Sequence, residues 1–233
     1  FNNGNASYSC NASNDVYTAA GEVESLVVGD FNGDGRVDFA DGCQTQASGN
    51  NGKVDIFFAS GSAGHFVKNA TLTMTGNPKA LATGQMNNDT YLDIMAGERT
   101  GNTTGLIEFM KNNGSGGFSI LDSTPASGPV TCIVTGYLDA DAYIDVAAGD
   151  ERRIVQGWFC NGASSTDVLP ALESWSDANT GGVVYTLAIG KVETSLDTPA
   201  NDPYNDLLAG TTTGASTGEI VIYLNPYIDS ITP

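Results

Sequence analysis

The sequence predicts an all-β fold made of repeated units, and three observations lead to this prediction. The apolar runs are short and rich in β-branched residues, and glycine, which favours turns, occurs 29 times in 233 residues. With 40% hydrophobic and only 15% charged residues, the composition is that of a folded chain rather than a disordered one. Finally, one pattern of glycines and acidic residues occurs four times along the chain.

The repeats align on two glycines and an aspartate. The first glycines are Gly29, Gly84, Gly136 and Gly190, spaced 55, 52 and 54 residues apart. The aspartates are Asp38, Asp93, Asp145 and Asp206, and the second glycines, four residues later, are Gly42, Gly97, Gly149 and Gly210. An apolar run precedes each first glycine, a second includes each aspartate, and two more follow in the first three repeats, whereas the last run of the fourth repeat is poor. Each repeat therefore predicts four short strands in about 53 residues, which is the blade pattern of a β-propeller.

We expect a single β-propeller domain of four four-stranded blades over residues 1–233. The four predicted repeats span approximately residues 23–77, 78–127, 128–182 and 183–226. The fourth repeat lacks a good final strand, whereas residues of about 5–13 form a strand-like segment at the N-terminus. We expect this segment to supply the outer strand of the fourth blade and close the ring, which would remove an exposed edge. Residues 227–233 then form a C-terminal tail.

The composition excludes several classes of function. A net charge of −18 argues against nucleic acid or an anionic membrane as the partner, because both select for basic surfaces. No apolar run approaches the roughly 18 to 20 residues that span a bilayer. The only histidine is His65 and the cysteines lack close pairs, so neither a zinc site nor a Ser/His/Asp or Cys/His catalytic set is expected. We expect no enzymatic activity.

The loop between Gly29 and Gly42 crowds acidic side chains together. In the segment GDFNGDGRVDFADG, oxygen-bearing residues stand at Asp30, Asn32, Asp34 and Asp38. Carboxylates a few ångströms apart repel one another by about 1 kcal/mol or more at a protein surface. A cation among them would offset this repulsion, and Ca²⁺ accepts six to eight oxygen ligands in a flexible loop of this kind.

These residues resemble the FG-GAP or VCBS-type repeats of the integrin α-subunit propeller and its relatives. The first loop matches the family motif in full and the other three match it in part. The resemblance implies Ca²⁺ bound by side chains at loop positions 1, 3, 5 and 9 and by the carbonyl at position 7. Carried over, the first set is Asp30, Asn32, Asp34, the carbonyl of Arg36, and Asp38. The second is Gln85, Asn87, Asp89, the carbonyl of Tyr91, and Asp93, and the third is Asp139, Asp141, the carbonyl of Tyr143, and Asp145.

The weaker loops and two alternatives qualify this expectation. The third loop has Tyr137 at position 1, and the fourth begins with Lys191 before reaching Asp202, Tyr204 and Asp206 through an insertion. One alternative is structural, in which the final aspartates cap the turn by accepting backbone N–H bonds. The other is an EF-hand, because Asp41 falls at position 12 of the first loop. That alternative requires flanking helices, whereas the flanking segments are strand-like.

Other features favour an extracellular protein. Four cysteines suggest two disulfides, and their proximity in the sequence suggests Cys10–Cys43 and Cys132–Cys160 among three possible connectivities. The second pair would join strands two apart, which lie beyond disulfide reach. Six N-x-S/T sequons support secretion and glycosylation. They begin at Asn5, Asn11, Asn69, Asn88, Asn102 and Asn113.

We expect a non-catalytic Ca²⁺-binding propeller that serves adhesion or structural assembly on an extracellular surface, with a protein or glycan ligand. A carbohydrate-binding lectin is the first alternative, because Trp158 and Trp175 could stack on sugars, although packing between blades is the commoner role of such residues. A second alternative is the subunit of a filament, in which the N-terminal strand of one copy completes the fourth blade of the next. A fragment of a hydrolase or lyase is a third.

Overall fold

The computed structural model describes nine stretches of the chain. They are residues 16–45, 51–61, 64–87, 89–139, 141–160, 174–177 (backbone only), 180–191, 205–214 and 217–223. These residues contain fifteen strands and no helix, which confirms the predicted all-β class. No helix in these stretches is therefore long and apolar enough to cross a membrane.

The strands form four antiparallel sheets, each ordered as in the sequence. The first contains β1 (Glu22–Gly29), β2 (Asp38–Gln44), β3 (Lys53–Ala59) and β4 (Phe66–Thr73). The second contains β5 (Asn77–Gly84), β6 (Asp93–Arg99), β7 (Gly105–Asn112) and β8 (Phe118–Ala126). The third contains β9 (Val130–Gly136), β10 (Asp145–Asp150), β11 (Val155–Trp158) and β12 (Ser174–Asp177). The fourth contains β13 (Val183–Gly190), β14 (Asp206–Thr212) and β15 (Gly218–Tyr223).

The repeated glycine and aspartate mark the same place in every sheet. Each first glycine ends a first strand and pairs with the aspartate that begins the second strand. The pairs are Gly29 with Asp38, Gly84 with Asp93, Gly136 with Asp145, and Gly190 with Asp206. The polar segment between the two is therefore the loop of the first hairpin in all four sheets.

Consecutive sheets stack through the second glycine of the first three repeats. Its backbone leaves room for the first strand of the next sheet, and an added Cβ would lie too close to that strand's side chains. A Cβ at Gly42 would lie 3.3 Å from Pro78 Cβ, one at Gly97 would lie 2.4 Å from Val130 Cγ1, and one at Gly149 would lie 2.4 Å from Val184 Cγ1. The glycines therefore set how closely neighbouring sheets approach.

Three apolar clusters fill the spaces between the sheets. The first joins the first and second sheets and includes Ile56 and Ile94. The second joins the second and third sheets, where the Trp158 side chain is buried beside Phe109. The third joins the third and fourth sheets and includes Leu187. The core is thus divided into layers between sheets, and Trp158 packs within one of them instead of presenting a face to sugars.

The cysteines differ from the expected bridges. Cys43, Cys132 and Cys160 are buried free thiols, and Cys10 lies outside the described residues. Cys132 lies in β9 and Cys160 just beyond β11, on opposite sides of β10. Strands two apart are separated by about 9–10 Å, which exceeds the reach of a disulfide. Burial raises the pKa of the Cys132 thiol to about 11, so it is protonated and unreactive at neutral pH.

Some predictions concern residues that the structure does not describe. The proposed closing strand at about 5–13 and the tail at 227–233 lie outside the described stretches, as do Asn5, Asn11 and Asn88. The other three sequon residues have exposed side chains, as glycosylation requires. These are Asn69, Asn102 and Asn113.

The sheet contacts generate a stability prediction. Replacing Gly97 with alanine should lower the free energy of unfolding by about 1–3 kcal/mol, because the new methyl group overlaps Val130. Thermal and urea unfolding would measure the change. Gly61→Ala is the control, because a Cβ there meets nothing within 4 Å among the described residues. Equal stability of the two variants would contradict the packing role of Gly97.

Candidate functional site

The loops of the first hairpins lie together at one end of the sheets. Leu92, at the end of the second loop, packs against Gly29 of the first sheet, and Ile144 of the third loop packs against the first glycine of the second sheet. Between the third and fourth sheets, the Asn205 side-chain amide donates a 3.0 Å hydrogen bond to the Tyr137 carbonyl. The acidic residues of the loops therefore share one surface.

A buried carboxylate organises each of the first three loops. The aspartate that begins the second strand accepts an N–H bond from its own loop and another from a residue at or just beyond the end of the third strand. Asp38 accepts from Phe31 N (2.9 Å) and Ala59 N (2.8 Å), Asp93 from Met86 N (3.2 Å) and Asn112 N (2.9 Å), and Asp145 from Leu138 N (2.7 Å) and Cys160 N (2.9 Å). The turn-capping role considered from the sequence is therefore present at all three positions.

Burial works against the charge on these carboxylates. Desolvation raises the pKa of Asp38, and it raises the pKa of Asp93 and of Asp145 to about 7. At Asp145 the nearby charges of Asp139 and Asp141 raise the pKa further. A divalent cation at such a position would favour the ionised form and reverse these shifts.

A second feature is common to the same three loops. The carboxylate at position 5 accepts a hydrogen bond from the backbone N–H at position 7, which forms an Asx turn. The bonds are Arg36 N to Asp34 Oδ1 (2.9 Å), Tyr91 N to Asp89 Oδ1 (2.9 Å) and Tyr143 N to Asp141 Oδ1 (2.7 Å). Arg36, Tyr91 and Tyr143, the residues predicted at position 7, therefore make the same backbone hydrogen bond in three loops whose sequences differ.

The third loop brings its carboxylates closest together. Asp139, Asp141 and Asp145 each offer a carboxylate oxygen, and these three oxygens lie within 4.8 Å of one another. Two unit charges at that distance repel by about 1 kcal/mol in water and about 3 kcal/mol at an effective dielectric constant of about 20. Asp145 is buried, whereas Asp141 is exposed, so the cluster opens to solvent. This arrangement can accept a hard cation from solution.

The first loop is organised by its own first residue. The Asp30 carboxylate accepts hydrogen bonds from the backbone N–H groups of Gly33 (2.8 Å), Asp34 (3.1 Å) and Gly35 (2.8 Å). Gly33 and Gly35 have φ values of 75° and 79°, in the left-handed region that favours glycine. Asn32 Oδ1 accepts a further bond from Asp34 N at 3.0 Å. The loop is therefore folded tightly around its acidic side chains.

The positive charge nearest these carboxylates belongs to Arg36. Its Nη2 and Nε donate to Asp34 Oδ2 at 2.6 and 3.1 Å. This hydrogen bond lowers the pKa of the Asp34 carboxyl. Among the described loops, only the third holds three carboxylate oxygens that all lie within 4.8 Å of one another, and the first loop does not. The sequence ranks the first loop highest, whereas the structure draws the carboxylates together most closely in the third.

The second and fourth loops are less acidic. In the second, the Asn87 amide donates to Asp93 Oδ2 at 3.1 Å, and the Gln85 amide donates to a loop carbonyl at 3.1 Å. Asp89 Oδ2 lies 3.8 Å from Lys111 Nζ. In the fourth, Lys191 is exposed and Asp206 is buried at the start of β14, while Asp202 and Tyr204 lie outside the described residues.

The EF-hand alternative is wrong. The strands β1 and β2 flank the first loop, and Asp41 lies inside β2, buried, where it accepts a 2.6 Å hydrogen bond from the Cys43 thiol. In an EF-hand, the side chain at position 12 would have to face the loop and bind the ion there.

Sequence reasoning missed a buried polar group in the first sheet. Asp55 accepts hydrogen bonds from Ala20 N (2.8 Å), from Lys68 Nζ (2.6 Å) and from the Thr71 hydroxyl. Its neighbour Asp41 stands where the other repeats have alanine. An aspartate at a position that is alanine in the other three repeats was the sequence signal that could have indicated this buried polar group.

A pair of buried glutamates in the second sheet was also missed. Glu98 and Glu108 are both buried, and Glu98 accepts a 2.6 Å hydrogen bond from Gly76 N while Glu108 Oε1 accepts one of 2.5 Å from the Thr75 hydroxyl. Burial, with the charge of Glu108 beside it, raises the pKa of Glu98 to about 9. Glu98 is therefore protonated at neutral pH.

This pair predicts a pH dependence of stability. An acid whose pKa is raised on folding contributes stability that is present below its ordinary pKa of 4.5 and is lost as the pH rises through about 9. Glu98→Gln should keep the hydrogen bond without ionising, so its melting temperature should rise relative to wild type between about pH 5 and pH 9. Glu22→Gln, at an exposed site, is the control and should show a constant difference. A pH-independent difference for Glu98→Gln would contradict the raised pKa.

The comparisons with known proteins assign no family. No family model matches the chain, and no curated protein matches it.

Proposed function

We propose that this chain is an extracellular Ca²⁺-binding β-propeller that serves adhesion or structural assembly and has no catalytic role. The observation that carries the proposal is the convergence of Asp139, Asp141 and Asp145 in the third loop. The same Asx turn and the same buried aspartate in the first and second loops support extending the site to those loops.

The donor chemistry favours Ca²⁺ over transition metals. The cluster offers carboxylate oxygens, with the backbone carbonyl of Tyr143 as a further ligand, and contains neither thiolate nor imidazole. Tyr137 brings no side-chain carboxylate to position 1, and its carbonyl is already bonded to Asn205. Water would therefore complete the coordination, as the openness of the loop permits.

The arrangement of the sheets supports the propeller. Each sheet is a meander of consecutive antiparallel strands, and in the second, third and fourth sheets the first strand packs on the second glycine of the sheet before it. Propellers are built by radial repetition of such four-stranded sheets. The described part of the fourth sheet has three strands, and we propose that residues of about 5–13 add the outer one beside β15.

A binding or assembly role agrees with the chemistry of the side chains. The one histidine, His65, is exposed at the start of β4, and the acidic groups of the loops are engaged in holding backbone N–H groups. The lectin alternative draws no support from Trp158, because its side chain is buried between the second and third sheets.

Calcium binding is tested at the third loop. Asp141→Asn should weaken Ca²⁺ binding at that loop at least about tenfold in isothermal titration calorimetry, because it removes one charge from the ligand set. Ca²⁺ should also raise the melting temperature of the wild type, since a ligand at a hundredfold excess over its Kd stabilises the native state by about 2.7 kcal/mol. Glu22→Gln removes an equal charge from the exposed far end of β1 and serves as the control.

Two results would contradict this proposal. One is a melting temperature that is the same in Ca²⁺ and in EDTA. The other is equal Ca²⁺ affinity in wild type and Asp141→Asn, which would place the ion elsewhere.

A further inference from the structure

We propose that the side chains of Lys68 and Asp55 condense into an amide bond, which cross-links β4, the outer strand of the first sheet, to its neighbour β3. Lys68 Nζ lies 2.6 Å from Asp55 Oδ2. Because a C–O bond is about 1.2 Å long, Nζ lies less than about 4 Å from the Asp55 Cγ, close to the separation at which bound groups react. The inference concerns a modification of the chain itself and depends neither on Ca²⁺ nor on the proposed function.

The Asp55 carboxyl group is placed to act as the acyl group of this reaction. Its side chain is fully buried, and both of its oxygens accept hydrogen bonds besides the one from lysine. The Ala20 N–H donates to Oδ2 at 2.8 Å, and the Thr71 hydroxyl donates to Oδ1. When a nitrogen attacks the carboxyl carbon, negative charge develops on oxygen, and donors already in position stabilise that charge.

Aromatic rings border the reacting atoms. Lys68 Nζ lies 5.2 Å from the centre of the Phe57 ring, Phe39 stacks on Phe57 with ring centres 4.5 Å apart, and Tyr17 packs edge-on against both rings. Apolar surroundings disfavour the charged forms of an amine and a carboxyl group, and the neutral forms are the ones that condense. The Lys68 side chain is 37% exposed, so the water that is released has a path to solvent.

A second buried carboxyl group, that of Asp41, is placed to carry the proton. One of its oxygens lies within 4.8 Å of an Asp55 oxygen, and the Cys43 thiol holds Asp41 Oδ1 through a 2.6 Å hydrogen bond. Burial raises the pKa of the Asp41 carboxyl group. A general acid–base group works best when its pKa lies near the working pH, so this shift suits Asp41 to accept a proton and return it.

The reaction balances without any further reactant. A proton passes from Lys68 Nζ to the Asp55 carboxylate, which gives an amine and a carboxylic acid. Nζ then bonds to Cγ, Asp41 takes a proton from the nitrogen and gives it to the leaving hydroxyl group, and the Cγ–O bond breaks. Of the three protons on the charged amine, one stays in the amide and two leave as water with one Asp55 oxygen, and Asp41 ends in the form in which it began.

The amine and the proton carrier both depart from the repeat pattern. In the second sheet, Glu108 stands at the position of Asp55, but the residue at the position of Lys68 is Ile120. Asp41 stands where the other three repeats have alanine. The first sheet therefore brings together an acyl group, an amine and a second carboxyl group at positions where the second sheet has the acyl group alone.

Mass spectrometry of the full chain, produced without glycans and fully reduced, tests the proposal. The intact mass should lie about 18 Da below the mass of the sequence, because one water is lost. Trypsin should fail to cleave after Lys68, so that residues 54–79 are released as one fragment that carries the whole deficit. This fragment contains no Asp–Gly pair, so cyclisation of an aspartate onto the following glycine does not account for the loss.

The same digest contains an internal control. Lys79 Nζ also lies 2.6 Å from a carboxylate, that of Glu24, but both of these side chains are partly exposed to water. This pair should remain an ion pair, and trypsin should cleave after Lys79.

Two variants separate the cross-link from an ion pair. Lys68→Arg keeps the positive charge, but a guanidinium stays protonated and does not condense. It should have the full mass and melt roughly 5–10 °C below wild type, because the covalent loop is lost. Asp41→Asn should fold and also have the full mass, since it cannot carry the proton. The control is Lys53→Arg, whose lysine bonds to the Thr73 hydroxyl and which should keep the deficit.

Each result decides one part of the proposal. A wild type of full mass that trypsin cleaves after Lys68 would show that the two groups form only an ion pair and would overturn the cross-link. A mass deficit that persists in Lys68→Arg would place the loss of water elsewhere. A deficit that persists in Asp41→Asn would overturn the role of Asp41 in proton transfer.

Discussion

The buried aspartate at the start of the second strand connects the local structure of each of the first three repeats to its candidate site. Its two oxygens hold the preceding loop and the end of the third strand through backbone N–H groups, as Asp145 does with Leu138 and Cys160. Burial of a carboxylate is costly, and the raised pKa of Asp145 reflects that cost. The loop that presents the other acidic side chains is thereby held in place by a group that itself favours a nearby cation.

The stacking of the sheets rests on a different constraint, the absence of a side chain at the second glycine. Because Gly97 has no Cβ, Val130 and Ile133 of the next sheet can approach the backbone of β6. Close packing of this kind gives each layer of the core its apolar contacts.

The polar groups that depart from the repeat pattern have separate explanations. Asp55 and Asp41 lie on the face of the first sheet that is turned away from the second sheet. The Ala20 N–H of the N-terminal segment donates to Asp55, and the Cys43 thiol donates to Asp41. Glu98 and Glu108 lie between the first two sheets, where burial and the charge of Glu108 keep Glu98 protonated at neutral pH. Each of these carboxyl groups accepts a hydrogen bond from a backbone N–H, a hydroxyl or a thiol beside it.

The sequence by itself determined the all-β class, the four repeats and the hairpin that places each loop. Those features depend on local pattern: the pairing of Gly29 with Asp38 follows from spacing that recurs at Gly84 and Asp93. Only the tertiary structure decided which carboxylates converge, because Arg36 engages Asp34 in the first loop while the third loop brings three acidic groups together. It also decided that Leu26 is exposed whereas Leu81 is buried. The two leucines occupy the same position in their repeats, and what differs is the presence of a neighbouring sheet, which is a property of the assembled array and not of the local sequence.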